Sequence, residues 1–275
     1  MNLFPKERRP YYIYTPSYTH ISSGVRTLHL LTHALNEAGE KAYLLPDYGA
    51  NFAANPHLNT PIIWQYPESR NFYANTGVDP TVVYPDIVRG NPVGAKHVVR
   101  YLLAPAGAYG GDSTFPETDN IWGVLPSIAS KVLTLPVSDP VIFHPNSSHE
   151  RKGSCFYAHK YNKIHGNPLL SISNNSTPLE GTLGQVADIL RRSEVCYMYE
   201  VGSILTEAAL CGCSVVLVRT DYFNTIDKDC LMGTVSWSDG EIVKVDPDYW
   251  LNYQAVIERF PHNLQLFIKD TQEMA

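Results

Sequence analysis

Short apolar runs separated by polar, proline-bearing or glycine-bearing stretches recur along the whole chain, a pattern expected of buried parallel strands joined by long connections. Residues 11–15 form the first run. Residues 25–38 follow, with Val25, Leu28, Leu31, Leu35 and Ala38 on one helical face and Gly39 to stop the helix. Residues 42–45 are apolar again, so strand, helix and strand fit within about 35 residues, the length of a right-handed crossover unit. Further strands are expected at 62–65, 81–84, 98–103, 121–125 and 131–135, with prolines marking edges and loops. From 136 to 153 the pattern lapses into Pro, Ser, Asp, Asn and His, which marks a domain boundary. Beyond it come strands at 155–159 and 169–171 and a helix at 183–192. A strand at 195–199, a turn with Gly202 and Ser203, a helix at 204–211, a stopping Gly212 and a strand at 214–218 then complete one more parallel unit. The last stretch, 249–272, has helical spacing at Tyr253, Ile257, Leu264 and Phe267, broken by Pro261. The pattern predicts an α/β chain of two Rossmann-like domains facing a central cleft, at 1–140 and 141–248, with a helical segment at 249–275.

Composition narrows the function classes. With 275 residues, 44% hydrophobic and 17% charged, the chain has enough apolar material for two ordinary domains. A net charge of −6 with no concentrated basic face argues against a nucleic-acid partner. Lys6, Arg8 and Arg9 cluster, but Glu7 interrupts them and they read as a solvated arm. No run approaches the roughly 18 apolar residues that span a bilayer, and no secretory leader is evident, so a cytoplasmic location is expected. The five cysteines agree, four of them in apolar contexts where a free thiol acts as a small hydrophobe. The glycosylation sequons at Asn146, Asn174 and Asn175 are then chance matches.

Candidate chemistry concentrates in the second half. Glu200 ends a buried strand and Glu207 lies on the next helix, at the border of its apolar stripe, half-solvated in expectation. Glu207 reads either as an acid favoured by the helix dipole or as an acceptor for two ribose hydroxyls. A carboxylate such as Glu200 is costly to desolvate at a strand end without a purpose. His159-Lys160-Tyr161-Asn162-Lys163, before Gly166, is either a solvated turn or a pair of lysines that neutralise a leaving diphosphate. In the first half, Ser22 or Ser23 caps a helix, and Gly24 would let another group approach its backbone. The segment 106–111 is too irregular for a dinucleotide fingerprint and reads as a flexible loop. No metal is expected, because the ten histidines lack ligand spacing and no Asp-x-Asp pair is read as a metal–diphosphate holder.

Taken together these residues resemble the GT-B-fold glycosyltransferases, in particular the large retaining group that uses nucleotide sugars. That group carries a strand, then Glu-x7-Glu, a helix and a small-residue glycine turn. Here the run is Glu200-x6-Glu207 followed by Ala208-Ala209-Leu210-Cys211-Gly212. The resemblance also takes in Ser23-Gly24 with Arg26, the run 98–103 with its following Pro-x-Gly, and Lys160 and Lys163 before Gly166. It extends to the terminal aromatic helix, which in this fold packs back on the first domain. One departure is the glutamate spacing, one residue short, so that eight back from Glu207 stands Tyr199.

The resemblance implies Glu207 on the ribose, Glu200 at the donor sugar, and the diphosphate on Gly202-Ser203-Ile204 with Lys160 and Lys163 stabilising its charge. It further implies His159, Gly24 and Arg26 around the substrates. The donor would be a nucleotide diphosphate sugar and the acceptor a saccharide or lipid-linked saccharide, with retention and with neither metal nor cofactor. The implied setting is bacterial surface polysaccharide assembly at the inner face of the cytoplasmic membrane, with peripheral membrane or protein-complex association open. The alternatives are a catalytically silent nucleotide-sugar-binding subunit and, less favoured, a nucleotide-sugar epimerase of the same fold.

Overall fold

Every strand pairing in the computed structural model, which describes residues 7–47, 51–63, 78–145, 150–221, 235–242 and 244–274, is parallel. Lys6, Trp64, Gln65, Asn146 and Cys230 of the sequence reading lie outside those residues. The first sheet is built from β1 (Tyr11–Thr15), β2 (Ala42–Pro46), β3 (Thr81–Pro85), β4 (His97–Leu102) and β5 (Asn120–Gly123), in the order β2-β1-β3-β4-β5. β3 and β4 are buried along their whole length, as strands covered on both faces must be. Helix α1 (Ser23–Glu37) makes the crossover from β1 to β2. Ser22 caps it by accepting from the Val25 N–H at 3.4 Å, and Gly39, at φ 87°, ends it.

The second sheet is built from β6 (Ser154–Tyr157), β7 (Thr177–Pro178), β8 (Val195–Met198), β9 (Ser214–Leu217) and β10 (Val235–Trp237), in the order β10-β9-β8-β6-β7. Helix α2 (Leu183–Arg192) opens with a capping box between Thr182 and Gln185, and α3 (Ile204–Leu210) joins β8 to β9. The chain divides into two units, Met1–Leu135 with Ile257–Ala275, and Pro136–Val256. Each unit holds one of the sheets, which gives the α/β class with two Rossmann-like units expected from the pattern. No described helix is long and apolar enough to cross a membrane.

Several local expectations are corrected. Residues 169–171 form no strand, because Leu170 leads into a tight 3₁₀ turn at Ser171–Ser173. The described part of 62–65 and the run 131–135 contribute single bridges only, Leu44 to Ile62 and Gly123 to Val132. The final helix, α4 (Tyr249–Gln272), runs through Pro261. Proline there removes one backbone bond, but Leu264, Phe267 and Ile268 bury behind it and hold the helix together. Phe267 packs among the rings of Tyr11, Tyr101 and Trp122, and the Tyr11 hydroxyl meets Thr271 Oγ1 at 2.7 Å. Arg9 is not solvated. It is buried, donating to the Gln272 and Met274 carbonyls at the end of α4, where a cation is favoured. Arg8 pairs with Glu40.

Polar groups lock the loops at the carboxyl edge of the first sheet. Arg100 on β4 is 1% exposed; it pairs with Asp119 at 2.7 Å, donates to the Gly90 carbonyl at 2.7 Å and lies over the Tyr84 and Phe115 rings. Asp86 Oδ1 accepts from the Leu103 N–H at 2.9 Å, tying the end of β3 to the end of β4. Gly111 lies so close to the following turn that a Cβ there would overlap the Asp86 carbonyl oxygen. The loops after β3 and β4 therefore meet main chain to main chain, and the segment 106–111 read as flexible is anchored at Gly111.

His29, fully buried on α1, donates from Nε2 to the Pro16 carbonyl at 3.2 Å, while its Nδ1 has no hydrogen-bond partner. Tyr18 and Phe52 pack on its ring.

Two predictions follow from these buried groups. Arg100→Ala leaves Asp119 buried and unpaired, so chemical denaturation is expected to show a loss of about 3–5 kcal/mol. Burial lowers the His29 pKa below its ordinary 6.5, although the Pro16 carbonyl opposes the shift. The unfolded chain then binds more protons than the folded one in the window between the lowered value and 6.5. His29's contribution is thus fully present above that window and is lost as pH falls through it. The parent is expected to lose more melting temperature than His29→Gln between about pH 7.5 and about pH 5.5.

Candidate functional site

In a parallel sheet, ligands settle outside the carboxyl ends of the strands, where successive connections leave to opposite sides. In the second sheet the order reverses between β6 and β8, so the segments that follow those two strands flank its switch point. The chain places the sequence-derived candidates there. After β6 comes a π-helical turn at His159–Ile164, which carries His159, Lys160 and Lys163. After β8 come Tyr199, Glu200, Gly202 and Ser203, leading into α3.

Two consecutive residues beyond β8 grip two consecutive residues of the turn. The Glu200 carboxylate accepts from the Lys160 N–H with both oxygens, at 2.9 and 2.8 Å, and from the Tyr161 N–H at 3.1 Å. It is 3% exposed. The Tyr199 ring stacks on Tyr161 with centroids 4.8 Å apart, and its hydroxyl lies 2.6 Å from Ser173 Oγ and accepts from the Leu170 N–H at 3.0 Å. Tyr161 in turn donates its hydroxyl to the Pro168 carbonyl at 3.0 Å. Burial, followed by the neighbouring Tyr199 and Asp221, raises the Tyr161 pKa. Position 199, where the longer glutamate spacing would put a carboxylate, thus belongs to the aromatic cluster with Ala158 and Val218.

Glu207 is 2% exposed, which corrects the expectation of a half-solvated carboxylate. Its position on α3 faces the segment after Pro136, where the Ser138 hydroxyl donates to Glu207 Oε1 at a long 3.5 Å. Ser138 is itself clamped by Tyr253, which accepts from its N–H at 3.0 Å and donates to its carbonyl at 2.8 Å. Burial raises the Tyr253 pKa, and Glu207 adds to the shift. Lys163 forms an exposed ion pair with Glu180 at 2.7 Å, a kind worth only about 0–1 kcal/mol. Helix α3 has seven residues and Ser203 gives it no side-chain cap, so its dipole is short.

The first-half candidates lie on α1. The neighbour that requires Gly24 to be small is the Leu103 side chain, which a Cβ would meet at 3.2 Å, so Gly24 serves helix-to-sheet packing. Arg26 is 7% exposed. The site's least legible residue was Tyr199: nothing in its local sequence distinguishes it from any strand-end tyrosine, and its role follows from the stack with Tyr161.

The absence of Asp-x-Asp pairs needs correction. The sequence contains Asp227-Lys228-Asp229, outside the described residues, and Asp246-Pro247-Asp248. In the latter, Asp246 Oδ1 accepts from the Asp248 N–H at 2.9 Å in the turn before α4. Among the described residues no cluster of His, Cys, Asp or Glu is arranged to hold a metal ion. The four described cysteines are free and buried, and burial pushes the Cys211 thiol up to about 12. A cavity of about 620 Å³ opens at the opposite, amino edge of this sheet, beside Glu194, Gly212 and Ser214. Its arginine, Arg151, is committed to the Leu190, Ser193 and Cys211 carbonyls.

The chain matches no known family profile, and no curated protein matches it in sequence. Solved structures similar to it include the spinosyn forosaminyltransferase SpnP, at 13% identity over 98% of this chain and 96% of that one, with a TM-score of 0.43. A glycosyltransferase from Rickettsia africae ESF-5 is 7% identical over 97% and 95%, with a TM-score of 0.46. Acinetobacter baumannii MurG is 12% identical over 97% and 95%, with a TM-score of 0.40.

The burial of Glu207 sets a test of its role. Glu207→Gln keeps the shape of the buried contact and removes the charge. If the carboxylate accepts from ligand hydroxyls, calorimetry is expected to show nucleoside diphosphate affinity falling by about 1.5–3 kcal/mol with the melting temperature nearly unchanged. A lower melting temperature with affinity intact assigns Glu207 to the Ser138–Tyr253 junction alone.

Proposed function

We propose that the chain is a glycosyltransferase that holds a nucleotide diphosphate sugar at the carboxyl edge of its second sheet and passes the sugar to a hydroxyl of a saccharide or lipid-linked saccharide. The observation that carries this reading is the pair of segments at the β6/β8 switch point: a lysine-bearing turn after one strand and a glutamate-bearing connection after the other. Such an edge suits a ligand with an anionic and a hydroxylated part. In the reaction, the bond from the anomeric carbon to the diphosphate oxygen breaks and a bond from that carbon to the acceptor oxygen forms. The acceptor proton passes to the leaving diphosphate. Negative charge grows on the diphosphate as it leaves, and Lys160 and Lys163 are the cations placed to offset it. The weak Lys163–Glu180 pair leaves that ammonium available to an incoming diphosphate.

Retention, metal independence and a role in bacterial surface polysaccharide assembly belong to the same reading, on the strength of the sequence resemblance. A second reading, a silent nucleotide-sugar-binding subunit, is favoured by one observation: Glu200 and Glu207 are both buried and engaged by the protein's own groups.

A panel of nucleotide sugars assayed first by thermal shift and then by turnover separates the two. The transferase reading expects a stabilising nucleotide, sugar release to an acceptor, and activity that persists in excess EDTA. Lys163→Ala is expected to lower turnover more than it weakens donor binding. Tight nucleotide binding with no transfer across a broad acceptor panel supports the silent subunit, and a strict need for added manganese or magnesium overturns the lysine-based mechanism.

A further inference from the structure

Glu200 ends a buried strand in a position where the sequence resemblance puts it on the donor sugar. Its surroundings are of another kind. Three hydrogen bonds from backbone amides fall on its two oxygens, at 2.8, 2.9 and 3.1 Å, and only 3% of the residue is exposed. A carboxylate has about four acceptor positions, so most of its capacity is used within the chain. Amide N–H groups at the start of a helical turn carry partial positive charge, and a carboxylate there is stabilised without a cation. The adjacent Tyr199 holds the same turn through its ring, stacked on Tyr161 at 4.8 Å. The turn is π-helical, with no side chain of its own at its start to cap it, since Ala158 stands there. Glu200 supplies from 40 residues further along the chain what the turn lacks locally.

We infer that Glu200 is a positioning residue, whose carboxylate caps the turn that carries Lys160 and so fixes that lysine's backbone at the switch point, and that it does not contact the donor sugar. The inference rests on the proposed donor site for its functional half and on the hydrogen bonds alone for its structural half. It also gives the shortened glutamate spacing a physical meaning. At this spacing the first carboxylate meets the amides of the neighbouring turn, while the position one residue earlier is filled by an aromatic ring in the core.

The test uses the full chain and the variants Glu200→Ala, Glu200→Gln, Lys160→Ala and the double variant Glu200→Ala/Lys160→Ala. Hydrogen exchange at the Lys160 and Tyr161 amides reads the cap without reference to activity. Exchange is expected to rise about tenfold in Glu200→Ala and to stay near the parent in Glu200→Gln, whose amide oxygen still accepts. Binding of uridine, adenosine, guanosine, cytidine and thymidine diphosphates reads the function. Glu200→Ala is expected to weaken the best of these about as much as Lys160→Ala, roughly tenfold, with little further loss in the double variant, because one residue acts through the other. Unchanged amide exchange in Glu200→Ala overturns the cap. Additive losses in the double variant, or a Glu200→Gln protein as weak as Glu200→Ala with its amides still protected, overturn the positioning role in favour of direct ligand contact. A parent that binds none of the five diphosphates overturns both the donor-site reading and the positioning role, while the exchange result still decides the cap.

Discussion

Parallel strand pairing is the constraint on which the rest of this molecule depends. A parallel pair cannot be closed by a tight turn, so each connection must travel back across a face of the sheet and cover it. The faces are then buried on both sides, which is why β3 and β4 are apolar end to end. The same constraint gathers the outgoing segments at one edge of each sheet. Where the strand order reverses, between β1 and β3 and again between β6 and β8, neighbouring segments part and leave room beside the strand ends. The location of the candidate site is therefore a property of the topology before it is a property of any side chain.

Buried charge in this fold is handled in two contrasting ways. Arg100 is met by a carboxylate, by backbone carbonyls and by two aromatic faces, so that a full charge is opposed by a full charge. Glu200 is met by amide N–H groups only, a diffuse positive field supplied by the main chain. The first arrangement depends on the identity of both partners, because removing either strands the other. The second depends on the shape of the turn and on one acidic side chain. A lysine elsewhere on that turn is not needed to neutralise Glu200.

Much of the architecture was legible in the sequence because hydrophobic periodicity is a local record of burial. The first strand, the crossover helix with its Ser22 cap and Gly39 stop, and the run from β8 through α3 to β9 all announce themselves within a few residues. Failures came where distant partners decide. Residues 169–171 look like a strand until Tyr199 takes the Leu170 N–H and a 3₁₀ turn follows. Pro261 looks like a break until the buried face around Phe267 is counted. The basic arm looks solvated until Arg9 finds the carbonyls at the far end of the chain. At the site, the sequence singled out Glu200, Lys160 and Lys163. It was silent on which groups touch one another, since a carboxylate bound by amides and one awaiting a sugar are spelled the same way.

Gly111 carries a consequence of another order. Where two loops meet through their main chains, the contact is made of atoms that every residue possesses, and only the position with no room for a Cβ is constrained in identity. The side chains around it are free to drift. Over long divergence such a junction keeps its geometry and loses almost all of its spelling, with a solitary glycine as the surviving letter. A fold assembled largely from contacts of this sort, and from apolar residues interchangeable within their class, can remain itself after its kinship has faded from the alphabet in which kinship is usually sought.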